Sequence, residues 1–295
     1  MLKEVRALSL SRTVRARLRE GASSGLVMAA FARACVLAPA RSDPFSLVLP
    51  EIGDGPLNIV IDVGPGSFEQ LQPGAAWELS GQRLRVEGIQ VDLAAGRVWD
   101  PSPAWPRIRA CRPEVEARLG ELLALAERAA ASESLLAMWA RRPADPLEAA
   151  VWRSVIQAGD TLRDAWSGDG EGAGSAAVQV AGLGQGLTPA GDDFLAGVML
   201  WAWLAHPDPQ ALCQTLCQAA TPRTTALSAA LLRAASRGEC SAAWHTLLDQ
   251  LAAPGGRGLP PELVSRVLSH GQTSGADTLA GFLWLAAGQD HTGSA

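Results

Sequence analysis

The sequence predicts an α+β protein: a β-rich N-terminal segment, residues 1–110, folded as a small barrel or sandwich, then an all-helical segment, residues 111–295. Three observations carry this expectation. Before residue 110, short alternating runs are punctuated by glycine turns. From residue 113 on, apolar residues recur at helical spacing. Residues 182–197 read GLGQGLTPAGDDFLAG and are echoed at 275–281 by GADTLAG, with five of seven positions shared between GDDFLAG and GADTLAG.

The chain has 295 residues, room for one large or two ordinary domains. At 48% hydrophobic and 19% charged residues it can bury a core. The net charge of −5 and the lack of a basic cluster speak against nucleic acid as a partner. The longest apolar run, Phe194 to Ala205, is too short to span a bilayer and predicts a buried helix. MLKEVRALSLSRTVRARLRE lacks the continuous apolar core of a signal peptide, and Glu4 and Glu20 argue against a transit peptide. Five scattered cysteines do not make a disulfide framework, and Cys213 and Cys217, four apart, read as buried small hydrophobes. Together these features point to the cytoplasm. Lys3 is the one lysine of the chain, which argues against a Schiff-base or phosphate-loop lysine and leaves anions to arginine.

The N-terminal elements follow in order. A helix is expected around Leu26 to Cys35, then strands at 45–49 and 57–62. Ala76–Leu79 and Arg83–Val86 flank a turn at Ser80-Gly81-Gln82, and Ile89–Leu93 and Arg97–Trp99 flank Ala94-Ala95-Gly96, so each pair predicts a hairpin. After Pro101 and Pro103, Val115, Leu119, Leu122, Leu123 and Ala126 mark a helical face. Asp145-Pro146 starts a further helix through Trp152, Val155 and Leu162. Residues 167–174, SGDGEGAG, read as a loop. About six helices follow the opening glycine stretch.

Thr188-Pro189 predicts a helix start, with threonine as cap and proline at the first helical position. Asp192 and Asp193 then sit in the first turn, where the dipole favours negative charge. Capping leaves Gly182, Gly184 and Gly186 unexplained, and alternating glycines let something approach the backbone closely. The stretch fails as a dinucleotide fingerprint because Leu187 stands where a third glycine belongs. The two carboxylates would repel a bare anion at those amides. They favour a cation, a donor-rich amide or amine, or a metal-bridged phosphate.

In the echo, Asp193 and Gly197 correspond to Asp277 and Gly281, four apart on one helix face in both places. A mid-helix glycine costs about 1 kcal/mol against alanine. Two helices bearing that cost at matching places predict a close pseudo-symmetric pair with both aspartates near one point. A third helix start, Thr221-Pro222-Arg223-Thr224-Thr225, offers an arginine and hydroxyls. Its T-x-R-T form is similar to the S-x-R-T phosphate loop of aspartate and ornithine carbamoyltransferases. His270, just before the second loop, is either an acid–base group or a helix C-terminal histidine.

GLGQGLTPAGDDFLAG, TTALSAALLRAASRG at 224–238 and GQTSGADTLAGFLWL at 271–285, in this order and spacing, resemble the three signature blocks of the AllH family. The resemblance covers about residues 180–288 and is loose before that. It implies a subunit of an oxamate carbamoyltransferase of anaerobic allantoin breakdown, a branch of purine catabolism. That enzyme interconverts oxalurate and phosphate with oxamate and carbamoyl phosphate, and the family member works with two other, unrelated subunits. The partners expected are therefore a small carboxylate, carbamoyl phosphate or phosphate, together with other protein subunits.

The residues are compatible with this. Asp193 and Asp277 are the candidate catalytic pair. Gly184, Gly186, Thr188, Gly191, Asp192, Arg223, Thr224, Thr225, Thr273, Ser274 and Gly275 are the candidate ligand-binding residues. No metal ligand set is apparent, and Mg2+ held by the aspartates stays open as a cofactor. Without a visible nucleophile, positioning and electrostatics would carry catalysis. Two other readings remain: a non-catalytic binding or scaffold subunit, and an unrelated enzyme acting on another small acid. A catalytic subunit predicts a polar site where the three helix starts meet, and a scaffold predicts dry, packed starts.

Overall fold

The computed structural model describes residues 3–167, 171–255 and 258–287. The chain divides into two compact units, Met1–Pro101 with Cys240–Ala242, and Ser102–Glu239 with Ala243–Ala295.

The first unit is a closed β-barrel. Its strands are β1 (Lys3–Ser11), β2 (Ser24–Ala30), β3 (Ala34–Pro39), β4 (Phe45–Val48), β5 (Asn58–Ile61), β6 (Ala76–Ser80), β7 (Arg83–Val86), β8 (Ile89–Asp92) and β9 (Arg97–Trp99), with helix α1 (Arg12–Arg19) after β1. Neighbours run β5-β4-β3-β2-β6-β7-β8-β1-β9, and an antiparallel β1–β5 pairing closes the first eight strands on themselves. Closure removes the open edges that a small sheet would otherwise expose. Residues two apart fill the interior: Cys35 and Leu37, Phe45 and Leu47, Ile59 and Ile61, Leu84 and Val86, Ile89 and Val91. Phe45 and Trp77 meet edge to face, with ring centroids 5.4 Å apart.

Two expectations fail here. Residues 26–35 form no helix. They belong to the β2–β3 hairpin, in which Val27, Cys35 and Leu37 point inward and Phe31 N–H closes the turn on the Ala34 carbonyl at 2.8 Å. Barrel closure overrides the weak helical preference of an alanine-rich run. The expected hairpin of Ile89–Leu93 with Arg97–Trp99 is also absent. β1 lies between β8 and β9 and pairs with both in parallel. Gly96 gives the connection room, because a Cβ there would lie 3.1 Å from Ala7 Cβ and 3.0 Å from Leu10 Cδ2. The β6–β7 hairpin forms as expected.

The second unit is helical: α2 (Trp105–Ala110), α3 (Arg112–Glu116), α4 (Leu119–Ala129), α5 (Pro146–Asp164), α6 (Glu171–Val180), α7 (Ala190–Ala205), α8 (Pro209–Ala220), α9 (Ala226–Ser236), α10 (Ala242–Leu251), α11 (Pro261–Leu268) and α12 (Ser274–Ala287). Short 3₁₀ turns occupy Leu135–Trp139, Ala165–Ser167 and Thr221–Arg223. Asp145 caps α5 as its sequence predicts, accepting from the Leu147 and Glu148 amides. The expected loop at 167–174 is in part helix. Residues 168–170 lie outside the described residues, but Glu171–Gly174 begin α6. Gly172 there lies against Ala165, where a Cβ would come within 3.2 Å, so this glycine serves close packing on a neighbouring element rather than a turn.

α7 is buried on nearly every side, as its apolar run predicts. Its last carbonyls are held by arginines: Arg109 donates to the Trp203 and His206 carbonyls at 3.0 and 2.8 Å, and Arg112 to Ala205 at 3.1 Å. Cationic groups suit this negative end of the dipole. Among the described residues no helix is long and apolar enough to cross a membrane. None of the five cysteines is in a disulfide, and Cys213 and Cys217 are buried in α8.

Candidate site at the paired helix starts

Helices α7 and α12 cross with their backbones in contact, and the two glycines of the repeat make the crossing possible. A Cβ on Gly197 would lie 1.8 Å from the Thr278 carbonyl oxygen, and one on Gly281 would lie 1.9 Å from the Phe194 carbonyl oxygen. Gly197 and Gly281 are equivalent in the repeat, as are Phe194 and Thr278. Each half therefore touches the other with the same residues, the signature of a two-fold relation.

The repeat reaches further back than the sequence comparison suggested. Gly191 lies on the Val180 carbonyl, where a Cβ would come within 2.0 Å, and its N–H donates to the Leu183 carbonyl at 2.9 Å. Gly275 lies on the Val267 carbonyl, within 1.9 Å of a Cβ, and its N–H donates to the His270 carbonyl at 2.9 Å. Each half is thus a helix end, a loop and a buried helix: α6 into α7, and α11 into α12. His270 lies just beyond the C-terminus of α11.

One detail of the helix start differs from expectation. Pro189, not Thr188, is the N-cap of α7, and no side chain caps it. The Thr188 hydroxyl instead bonds the Ser274 hydroxyl across the repeat, at 2.9 Å. Asp193 and Asp277 then occupy equal positions: the Asp193 N–H donates to the Pro189 carbonyl at 3.2 Å and the Asp277 N–H to Thr273 at 2.9 Å.

Three carboxyls are buried here, Asp192, Asp193 and Asp277. Asp192 is fully engaged. It accepts from the Gly182 N–H at 2.9 Å, from the Ser228 hydroxyl at 2.8 Å, and from the Thr224 hydroxyl. Thr225 caps α9 through the Ser228 N–H at 3.1 Å and donates its own hydroxyl proton to the Leu187 carbonyl at 2.5 Å. Thr224, Thr225 and Ser228 therefore tie the start of α9 to that of α7, and the three helix starts do converge. Sequence reasoning missed Ser228, although it lies in the block TTALS. It also missed Leu135, whose backbone N–H donates to Asp277 Oδ1 at 2.6 Å and left no signal in its side chain.

Asp193 and Asp277 each keep one oxygen, Oδ2, buried and without a hydrogen-bond partner. Desolvation and the neighbouring Asp277 push the Asp193 carboxyl well above the usual carboxylate range, against the pull of the Ser274 hydroxyl, and Asp192 adds to the upward push. Burial raises Asp277 to about 7, although the Leu135 N–H and the Thr273 hydroxyl favour its anion. Asp277 can thus exchange a proton near neutrality.

The loop glycines divide in role. Gly182 has φ +74°, and a Cβ there would come within 2.5 Å of the Arg223 carbonyl oxygen. Gly184 and Gly186 are exposed with φ +116° and +87°, and around Gly186 there is open space. Arg223 presents its side chain to solvent beside this loop. Among the described residues no group of three or more His, Cys, Asp and Glu side chains could hold a metal ion. An open concavity of about 650 Å³, lined by Gly25, Trp77 and Arg85 among others, belongs to the barrel unit and carries none of these residues.

No solved structure matches the chain. Residues 180–286, which span both halves of the repeat and the α9 start between them, match the family model described as oxamate carbamoyltransferase subunit AllH, the family that the three sequence blocks resemble.

Proposed function

We propose that the protein is a subunit of an oxamate carbamoyltransferase-like assembly, and that its helical unit binds a small carboxylate or carbamoyl ligand at the converging starts of α7, α9 and α12. One observation carries this reading: Asp193 and Asp277 each bury an oxygen with no partner. An unpaired buried polar atom costs about 1–3 kcal/mol. A pure scaffold would gain stability by replacing both carboxyls with apolar groups, so the cost points to a ligand. Gly184, Gly186 and Arg223, on the exposed side of the loop, suit the anionic end of such a ligand. Thr188, Ser274 and Thr273 hold the acid pair in place. Asp192, Thr224 and Thr225 fix the loop.

The experiment is thermal unfolding of the purified chain with phosphate, carbamoyl phosphate, oxamate and oxalurate, with and without Mg2+, beside Asp193→Ala and Asp277→Ala. A ligand at 100 times its Kd adds about 2.7 kcal/mol, or roughly 5–10 °C at 2–4 °C per kcal/mol. A shift lost in both variants supports the reading. No shift with any of the four ligands favours a scaffold, whose chemistry lies in partner subunits.

A further inference from the structure

The two-fold relation makes Asp193 and Asp277 equivalent, yet two features break the equivalence. Asp192 stands beside Asp193, whereas the matching place beside Asp277 is Ala276. The three groups on Asp192, the Gly182 N–H and the Thr224 and Ser228 hydroxyls, all donate to it, and its charge works against ionisation of Asp193. The second feature is the Leu135 N–H, delivered from a buried 3₁₀ turn to Asp277 Oδ1. One carboxyl therefore has a fixed negative neighbour and the other a fixed backbone donor. Two carboxyls buried at one point do not both ionise cheaply. The proton goes to the acid whose anion is less supported, and that is Asp193. Burial raises both acids and each receives one hydroxyl, Ser274 on Asp193 and Thr273 on Asp277; beyond that, Asp277 and Asp192 raise Asp193 further, whereas the Leu135 N–H favours the Asp277 anion.

We propose that Asp193, as the neutral acid, and Asp277, as the carboxylate, form a one-donor, one-acceptor pair that takes the planar amide end of a primary carboxamide or ureido ligand. Asp193 Oδ2–H donates to the amide carbonyl oxygen, and Asp277 Oδ2 accepts an amide N–H. These are the two oxygens that have no partner within the protein. The inference rests on the ligand-binding reading of this site and adds its specificity. A carboxylate of the same shape offers Asp277 no proton and meets it with like charge. Sites built around a ligand N–H or O–H reject analogues lacking it by factors of about 10⁴–10⁵.

The test is calorimetric titration of the full chain at pH 8 with oxamate, oxalate, phosphate and carbamoyl phosphate; the first two differ by an amide in place of one carboxylate. Wild type is expected to bind oxamate at least about 100-fold more tightly than oxalate. Asp277→Asn, which supplies a donor in place of the pure acceptor, is expected to shrink this preference below about tenfold. Asp193→Asn keeps a donor and is expected to retain oxamate binding within about tenfold. Equal binding of the two ligands to wild type overturns the inference without any variant, and so does a preference that survives Asp277→Asn intact. If phosphate, carbamoyl phosphate or oxalate binds and oxamate does not, the inference fails and the ligand-binding reading stands. If none of the four binds, both fail.

Discussion

Gly197→Ala tests the crossing on which the site depends. The added methyl would sit 1.8 Å from the Thr278 carbonyl oxygen and 2.7 Å from the Phe282 nitrogen, both backbone atoms of α12. Ordinary contact begins at 3.4 Å, so the helices must part by more than an ångström. A gap of 0.5–1 Å already forfeits about a quarter to a half of a dispersion contact, and the crossing is lined by Phe194, Val198, Trp201 and Phe282, all fully buried. Overpacking costs about 1–3 kcal/mol, occasionally more, and with rigid backbone on the far side the upper end applies. Alanine returns about 1 kcal/mol of helix propensity. The net loss is about 2 kcal/mol or more, or roughly 4–8 °C in Tm at 2–4 °C per kcal/mol. Gly281→Ala should cost the same, since it meets the Phe194 carbonyl in the mirrored contact. The control is Gly120→Ala, in exposed α4 with nothing within 4 Å, which should gain about 0.4–1 kcal/mol. Thermal unfolding followed by circular dichroism reads all three. If Gly197→Ala proves as stable as wild type, or gains like Gly120→Ala, the two helices do not cross here and the shared site loses its basis.

The other predictions concern charge. Asp277 is raised from 3.8 to about 7 in the folded chain, and Asp193 is also raised. A raised acid binds a proton in the folded state that the unfolded chain has lost, so the stability these two acids contribute is full below about pH 4 and, for Asp277, is lost as pH rises through about 7. The slope is about 1.4 kcal/mol per pH unit for each retained proton. For Asp277 the full span amounts to about 4 kcal/mol. In urea unfolding between pH 4 and 8, the stability of wild type relative to Asp277→Asn should decline by this amount; a difference that stays flat or rises over this range contradicts the raised Asp277. Ser228→Ala removes one of the three donors to buried Asp192 and should cost about 1–3 kcal/mol. Urea midpoints measured at pH 6 check this, and a change within 0.5 kcal/mol would mean that Asp192 does not depend on that hydroxyl.

Much of the fold was legible where local pattern and tertiary need agree. The β6–β7 hairpin, the Asp145 cap and the buried α7 all announce themselves in this way. The failures fall where distant parts of the chain decide. β1 separates β8 from β9, and nothing between Ile89 and Trp99 shows that a strand from the N-terminus will intervene. The glycines at 172 and 174 look like a loop but lie in helix α6, where Gly172 packs closely on Ala165. At the site, the matched Asp and Gly positions foretold the crossing of α7 and α12, because a mid-helix glycine has a cost that only close approach offsets. Thr188 misled, since a threonine before proline reads as a cap, yet its hydroxyl bonds Ser274 from the other half. Leu135 was invisible because its contribution is a backbone N–H, and any residue but proline carries one.

The most direct test of the coupled acid pair is a ¹³C NMR titration of the Asp193 carboxyl in the wild-type chain and in Asp277→Asn. The wild-type midpoint is expected well above the ordinary 3.8, with a clear fall when Asp277 loses its charge. A midpoint near 3.8, or one that Asp277→Asn leaves in place, would show that the two carboxyls do not share a site.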